Sequence, residues 1–300
     1  MKKIKFLLMS VVAAVLVGCG TTKTVPITGR QQSLMVSDGE VLSLSTQQYQ
    51  EFMKTAKLST NATNTAMVKR VGEKLATAVT NYLRSAGMSE DLQYYKWQFN
   101  LVQNNQVNAW CMPGGLICVY EGLLPVTQNE ASLAIVLGHE IAHAVARHSA
   151  EQMSTQMKQQ YGLQIGTAIA GAVGVGATAQ SIGQWALSQQ FNFKNLKYSR
   201  NHESEADHLG LIFAAMAGYD PQVPVSFWQR MAAKNGNSQQ NDLYSDHPSD
   251  ATRIKQIQEW MPEALRYYTP PKTTTTTTTT AKKATTTKKT TTKKTTTKKK

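Results

Sequence analysis

The chain contains few cysteines, only three in 300 residues. It has no long internal repeat and no apolar run that confidently predicts a membrane span. Residues 6–17 are too short for a span, and residues 163–179 are interrupted by Gln164, two threonines and several glycines. We therefore expect residues 163–179 to be a mobile or packed element that flanks the functional site, and the alternative is a segment that enters a membrane. These absences predict one globular domain with appendages.

The N-terminus has the pattern of an export signal. Lysines precede the apolar run 6–17, which predicts a signal peptide over residues 1–18. The run ends in Leu16-Val17-Gly18-Cys19, which resembles a bacterial lipobox, where the cysteine is acylated and becomes the first mature residue. The alternative is an ordinary secretory signal with an incidental Cys19.

Acylation of Cys19 would decide where the protein resides. Several acyl chains on one residue exceed what stable membrane anchoring requires. Gly20 lacks the acidic side chain that in some bacteria retains lipoproteins at the inner membrane, so an outer-membrane location is favoured. Residues 19–38 are then expected to form a lipidated tether in the cell envelope.

Acidic residues are also scarce, with 19 against 32 lysines and arginines, giving a net charge of +13. Ten lysines lie in residues 272–300 and three more lie in the signal peptide, so the remaining chain is about neutral. Residues 269–300, rich in threonine and lysine, have almost nothing apolar to bury and are predicted to be a disordered tail. The tail would bind anionic envelope polymers or act only as a solvated spacer. Nucleic acid is not an expected partner of an exported lipoprotein.

The two other cysteines, Cys111 and Cys118, flank Pro113-Gly114-Gly115, a strong turn signal. A hairpin could bring them together, and an oxidising compartment would permit a disulfide. Equally, they could be two small buried hydrophobic residues. Hairpin register decides between these possibilities, so both stay open.

Residues 39–268 are predicted to form one domain, large enough to bury a substantial core. Residue patterns predict two helices followed by three strands, at about 39–57, 64–86, 94–102, 107–112 and 116–120. Later helices are expected to begin at Asp220-Pro221 and at a Ser249 cap, the last one ending at Pro262. Helices, a small sheet and further helices indicate an α+β fold.

Residues 139–143 read His139-Glu140-Ile141-Ala142-His143 inside an apolar run that a Thr127–Glu130 capping box would begin. On a helix both histidines lie on one face and can bind one metal ion, with Glu140 beside it as a general base. Such groups are costly to bury unless they are paired or metal-bound. The alternative is a core histidine pair with a chance glutamate.

A catalytic zinc site takes three protein ligands, so a third should lie downstream. Glu203 and Asp207 share one face of a predicted helix. Glu203 can bind the metal, while Asp207 can accept the ring N–H of a ligating histidine. His202 and Glu205 lie elsewhere on the helical wheel and are weaker ligand candidates. The alternative is an acidic helix start without metal.

Four segments in this order resemble one known family: NAWCMPGGLI at 108–117, HEIAHAVARH at 139–148, ESEAD at 203–207, and HP at 247–248 followed by Arg253. They resemble the HtpX/CAAX-prenyl-protease family of gluzincin zinc peptidases, and in particular its LoiP-type outer-membrane lipoprotein peptidases. The resemblance implies a mainly helical α+β metallopeptidase domain with a small sheet beside the zinc helix. It also implies one Zn²⁺ per chain held by His139, His143 and Glu203, with Glu140 as base and Asp207 behind His139.

The resemblance also implies that the strand with Asn108 and Ala109 binds extended substrates by β-augmentation. His247 would stabilise the oxyanion with Arg253 nearby, or close the metal's fourth position as an off-switch, or begin a helix without touching metal. The predicted function is a membrane-anchored zinc endopeptidase for unfolded or misassembled envelope proteins. The alternative is an anchored chaperone or assembly factor, either without proteolysis or alongside it.

Overall fold

The computed structural model describes residues 21–168, 185–186, 188–235 and 251–270. Cys19, His247, most of residues 163–179 and the lysine-rich tail lie outside them. The helices and strands within these ranges are β1 (Thr21–Thr24), β2 (Gln31–Leu34), α1 (Asp38–Thr55), α2 (Ala62–Ser85), β3 (Gln98–Val102), β4 (Ala109–Met112), β5 (Leu116–Tyr120), α3 (Leu124–Thr127), α4 (Glu130–Val145), α5 (His148–Ala168), α6 (Arg200–Met216), α7 (Val223–Asn235) and α8 (Ala251–Tyr267). Three short 3₁₀ segments complete the set, at Ser89–Tyr94, Glu121–Leu123 and Phe193–Asn195. The predicted mainly helical α+β fold is confirmed.

Two small sheets accompany the helices. Strands β1 and β2 form an antiparallel hairpin, whereas the other sheet has the order β3-β5-β4, with β5 parallel to β3 and antiparallel to β4. The turn between β4 and β5 needs glycine, because Gly114 and Gly115 have φ angles of +91° and +77°. Strand β4 packs on α4, which places this sheet beside the helix carrying His139.

Helix α4 is buried along almost its whole length, from Ser132 to Val145. The capping box predicted at Thr127 is wrong. The Asn129 side chain caps the helix by accepting the Ser132 N–H at 2.8 Å, whereas the Thr127 hydroxyl donates to the Leu124 carbonyl. Asparagine suits this position as well as threonine does, so pattern alone placed the cap two residues early.

Helices α4 and α6 touch backbone to backbone through a pair of glycines. A Cβ on Gly210 would lie 2.6 Å from the His139 nitrogen, and one on Gly138 would lie 2.7 Å from the Gly210 carbonyl oxygen. Such distances leave no room for a side chain. The two glycines therefore set the separation of the helices that carry the candidate metal ligands.

Two predicted helix boundaries differ from the structure. Helix α8 continues through Pro262 to Tyr267, because Ile257 and Ala264 on either side of the proline are buried in the core. Burial of Ala264, which follows the proline, offsets part of the interior proline's cost of about 3 kcal/mol. Helix α7 begins at Val223 rather than at Asp220, whose carboxylate accepts the Gln222 N–H in a preceding turn.

The N-terminal hairpin, defined here as residues 21–36, packs on the rest of the fold. Val25, Leu34 and Val36 are buried among core residues. The sequence assigned these residues to the tether, since they are too few and too polar to predict a buried element. Across the described ranges, no helix combines the length and apolar composition needed to cross a membrane.

Cys111 and Cys118 are both free and buried. Cys111 lies opposite Ile117 in the β4–β5 register, and Cys118 lies opposite Trp110. Because this one-residue offset places the two thiols on opposite faces of the sheet, they cannot form the disulfide that the sequence left open. Burial raises the pKa of Cys118 to about 12 and that of Cys111 well above its usual value.

We expect a Cys19→Ser variant to expose two reactive thiols on unfolding without reductant and almost none while folded. The register keeps Cys111 and Cys118 apart, and burial with raised pKa values keeps the folded thiols slow to react. Thiol titration with a chromogenic disulfide, with and without denaturant, measures both states. Fewer than one thiol per unfolded, unreduced chain would contradict the register.

Candidate metal centre

Helices α4 and α6 bring His139, His143 and Glu203 into one buried cluster. The two imidazole Nε2 atoms lie 3.1 Å apart, with His139 Nε2 3.4 Å from Glu203 Oε2 and His143 Nε2 3.4 Å from Glu203 Oε1. The structure thus brings Glu203 next to two histidines that lie 60 or more positions away in the sequence.

The spacing of these atoms fits zinc. With zinc–ligand bonds of about 2.0–2.1 Å, the ligand atoms of a tetrahedral site lie about 3.3 Å apart. The observed separations of 3.1 and 3.4 Å lie close to that value. Two imidazole nitrogens and one carboxylate are also the donor set of a known catalytic zinc class.

Asp207 supports His139 from behind. The His139 Nδ1–H donates to Asp207 Oδ1 at 2.8 Å, which leaves the Nε2 lone pair directed at the cluster. Burial alone would lower the pKa of His139, but the carboxylates of Asp207 and Glu203 outweigh it and raise that pKa to about 9. The same two carboxylates would also stabilise the positive charge of a metal ion at this position.

Arg253 of α8 lies beside both Asp207 and His139, with its Nη2 atom 3.2 Å from His139 Nδ1. Its guanidinium donates to Asp207 Oδ1 and stacks over the Trp228 ring, 3.6 Å from the ring centre. The sequence placed Arg253 near His247, which lies outside the described residues. In the structure Arg253 contacts the carboxylate that orients His139.

His143 lies in a different setting. Its Nδ1 lies 2.9 Å from His148 Nδ1, and its ring stacks on Tyr198 at 4.0 Å between centres. Burial, together with the neighbouring imidazoles, lowers the pKa of His143 well below its usual value even though Glu203 acts to raise it. Burial likewise lowers the pKa of His148, to about 4.

Glu140 follows His139 in α4 and is 3 % exposed. Burial raises the pKa values of Cys111 and Tyr198, and the negative charge of Glu140 adds to both increases. A cleft of about 270 Å³ between α6 and α8 reaches Glu203 and Asp207 from outside.

Asn108 and Ala109, the predicted substrate-binding residues, lie at the start of β4. Strand β4 is the last strand of its sheet and pairs with β5 on one side. The Ala109 side chain is buried, and the Ala109 N–H donates to the side-chain Oδ1 of the preceding residue, Asn108, at 2.8 Å. An incoming strand would therefore have to replace this local bond.

Sequence reasoning gave no role to several residues around the ligands. His148 is the last residue of the HEIAHAVARH segment, whose third histidine is the sequence signal that could have pointed to it. Glu205 and His202 do not join the ligand cluster, as expected, but bind His148 and Glu151 respectively. Arg30, which binds both Glu151 and Glu205, had no sequence signal because it is remote in the chain and lies in a polar segment.

An HExxH helix packed against a helix that supplies a glutamate and a supporting aspartate defines the class as a metallopeptidase. Residues 62–261, two thirds of the chain, match Peptidase family M48, and the chain belongs to that family. The family resemblance and the peptidase class predicted from sequence are therefore confirmed.

Curated relatives agree with this assignment. The chain is 32% identical over 181 residues to mitochondrial metalloendopeptidase OMA1 of Schizosaccharomyces pombe, covering 60% of this chain and 50% of the relative. It is 30% identical over 246 residues to human OMA1, covering 80% and 46% respectively. Against metalloprotease LoiP of Escherichia coli it is 28% identical over 267 residues, covering 86% and 97%. The chain spans about half the length of the OMA1 relatives and nearly all of LoiP.

Proposed function

We propose that this chain is a membrane-anchored zinc endopeptidase that hydrolyses unfolded or misassembled proteins of the cell envelope. The observation that carries the proposal is the convergence of His139 Nε2, His143 Nε2 and the Glu203 carboxylate at zinc-like spacing, with Glu140 next to them. One zinc ion per chain would be held there by these three side chains. Family membership supports the peptidase chemistry.

Bound zinc would supply Lewis acidity to the scissile carbonyl and to the attacking water. The chain's own residues would do the rest. The Glu140 carboxylate takes a proton from the water while the water oxygen bonds to the carbonyl carbon. It then gives that proton to the departing nitrogen as the C–N bond breaks. Asp207 keeps the Nδ1 proton on His139 and so keeps the ring oriented.

The outer edge of β4 is proposed to bind the substrate as an added strand. Main-chain hydrogen bonding of this kind requires an extended peptide, which folded proteins rarely expose. The carbonyl of the substrate would replace Asn108 Oδ1 on the Ala109 N–H. Unfolded or misassembled chains would therefore be cleaved in preference to native ones.

The envelope location is proposed from the lipobox-like segment at Cys19 and not from the described structure. Lipid attached to Cys19 would hold the domain at the outer membrane, and the lysine-rich tail would bind anionic envelope polymers. A relative of Yersinia pestis, 25% identical over 162 residues, is named beta-barrel assembly-enhancing protease. Its name favours assembly intermediates as substrates. The same name is the reason to retain a chaperone role alongside proteolysis as the second candidate function.

We expect the purified protein to bind one zinc and to lose casein digestion when a chelator removes it, with zinc restoring the activity. Three protein ligands give tight binding but leave the ion open to a competing chelator. Metal analysis and gel assays of unfolded casein measure both quantities. A tightly folded protein of similar size should be digested far more slowly, and its equal digestion would contradict the extended-substrate proposal.

Three alternative roles of His247 follow from the sequence, and one substitution distinguishes them. Replacing it by alanine would lower turnover if it stabilises the oxyanion, and would raise basal activity if it closes the metal's fourth position. Unchanged kinetics would indicate a His-Pro helix start without metal contact.

A further inference from the structure

His148, the first residue of α5, is fully buried and touches a metal-ligand candidate. Its Nδ1 lies 2.9 Å from His143 Nδ1, and its Nε2 lies 2.9 Å from Glu205 Oε2. Its ring also stacks on His202, with 4.4 Å between centres. His148 thus links the back of a ligating imidazole to a carboxylate on α6.

These contacts assign the hydrogen positions. A carboxylate without a proton only accepts, so His148 Nε2 carries the N–H that Glu205 receives. In a neutral ring the Nδ1 atom of His148 then has a lone pair, which can accept the Nδ1–H of His143. His143 is left with its lone pair on Nε2, the atom that faces His139 and Glu203.

The two candidate histidine ligands are therefore supported in parallel ways. Asp207 accepts the Nδ1–H of His139 directly, and Arg253 holds Asp207. Glu205 holds His148, which accepts the Nδ1–H of His143. Both carboxylates lie on α6, and each is backed by an arginine from a distant part of the chain.

The arginine behind Glu205 is Arg30 of the N-terminal hairpin. Its Nε and Nη2 groups donate to Glu205 at distances of 2.7 to 3.1 Å, while Nη1 and Nη2 each donate to Glu151 at 2.8 Å. Gln32 of the same hairpin donates to the Ala146 carbonyl at 2.6 Å and also to Glu151. Planar, bidentate pairing of this kind fixes orientation as well as charge.

We propose that His148, held by Glu205 and Arg30, is the positioning residue for His143, as Asp207 is for His139. The proposal rests on the proposed function, because it takes His143 to be a zinc ligand. The N-terminal hairpin is then part of the support of the metal site. Loss of a group that orients a ligating histidine typically weakens metal binding by about 10- to 100-fold.

The test is zinc affinity of the full chain, measured by competition with a chromogenic chelator. His148→Phe keeps a ring to stack on His202 but has no acceptor, and we expect its zinc dissociation constant to rise about 10- to 100-fold. His148→Asn places an amide oxygen near the former Nδ1 position and should recover part of the affinity. Glu205→Leu should weaken binding as well, and combining it with His148→Phe should add little, because both changes break one chain of bonds.

Two controls make the result interpretable. His208 pairs with Glu263 at 2.7 Å and stacks on Trp260, so His208→Phe removes a similar histidine–carboxylate pair away from the ligands and should leave zinc affinity unchanged. Asp207→Ala removes the group that orients His139, so the zinc affinity of this variant is the reference for losing the support of one candidate ligand. Unchanged affinity in folded His148→Phe or Glu205→Leu, beside a weakened Asp207→Ala, would overturn the proposal. Absence of zinc from the wild type would instead defeat the proposed function.

Discussion

Replacement of Glu140 by glutamine is expected to eliminate detectable casein digestion while one zinc stays bound per chain. Glutamine has nearly the same shape but cannot take a proton from the attacking water at neutral pH. General base catalysis contributes about 10²- to 10⁴-fold, so kcat should fall by that factor. His139, His143 and Glu203 are untouched, so the metal content should not change. Paired kinetics and metal analysis of the two proteins measure these effects.

Matched variants separate chemistry from folding. Glu51→Gln makes the same chemical change at an exposed position on α1 and should leave both kcat and metal content unchanged. His143→Ala should lose metal and activity together, because it removes a ligand. Equal digestion by wild type and Glu140→Gln would disprove the base assignment. One bound zinc with no digestion by either protein would favour the chaperone or assembly-factor alternative.

The ligand cluster could be predicted from sequence because helical spacing is local. Residues 139 and 143 share a helical face whatever the rest of the fold does, and the same holds for residues 203 and 207. Metal chemistry then requires the two helices to meet. Three candidate ligands, a candidate base and the supporting Asp207 therefore followed from two short segments and the coordination preference of zinc.

The support around the ligands could not be predicted in this way. Arg30 reaches Glu205 across 175 sequence positions, and Arg253 reaches Asp207 from α8, so both contacts depend on tertiary packing alone. Polar residues in short segments give no periodic signal that would place them. The hairpin register that separates Cys111 from Cys118 could not be read from sequence for a related reason, since one residue of offset reverses the face of the sheet.

Gly210→Ala is expected to lower both the free energy of unfolding and the affinity for zinc. A Cβ at this position would lie 2.6 Å from the His139 nitrogen, against about 3.4 Å for ordinary contact, so the backbones must separate by up to about 0.8 Å. Zinc–ligand distances tolerate only about 0.2 Å. Because α4 carries the histidines and α6 carries Glu203, separating the helices should pull the ligand set apart.

The sign of the stability change follows from two opposing terms. Alanine in a helix is better than glycine by up to about 1 kcal/mol. Overpacking a close-packed interior costs about 1–3 kcal/mol, and here the obstacle is backbone, which cannot rotate away as a side chain can. The clash should therefore outweigh the gain in helix propensity, and the free energy of unfolding measured in urea should fall by about 1–2 kcal/mol.

Two other glycines show whether the zinc effect is specific to the helix crossing. A Cβ on Gly39 of α1 meets nothing within 4 Å, so Gly39→Ala should be neutral or slightly stabilising. A Cβ on Gly72 would strike the Phe99 ring, so Gly72→Ala should destabilise the fold between α2 and β3 without moving the ligands. If Gly72→Ala lowered the zinc affinity as much as Gly210→Ala does at an equal loss of stability, a general loosening of the fold would explain both effects. Weaker zinc binding in Gly210→Ala alone would show that the α4–α6 glycine contact sets the spacing of the metal site.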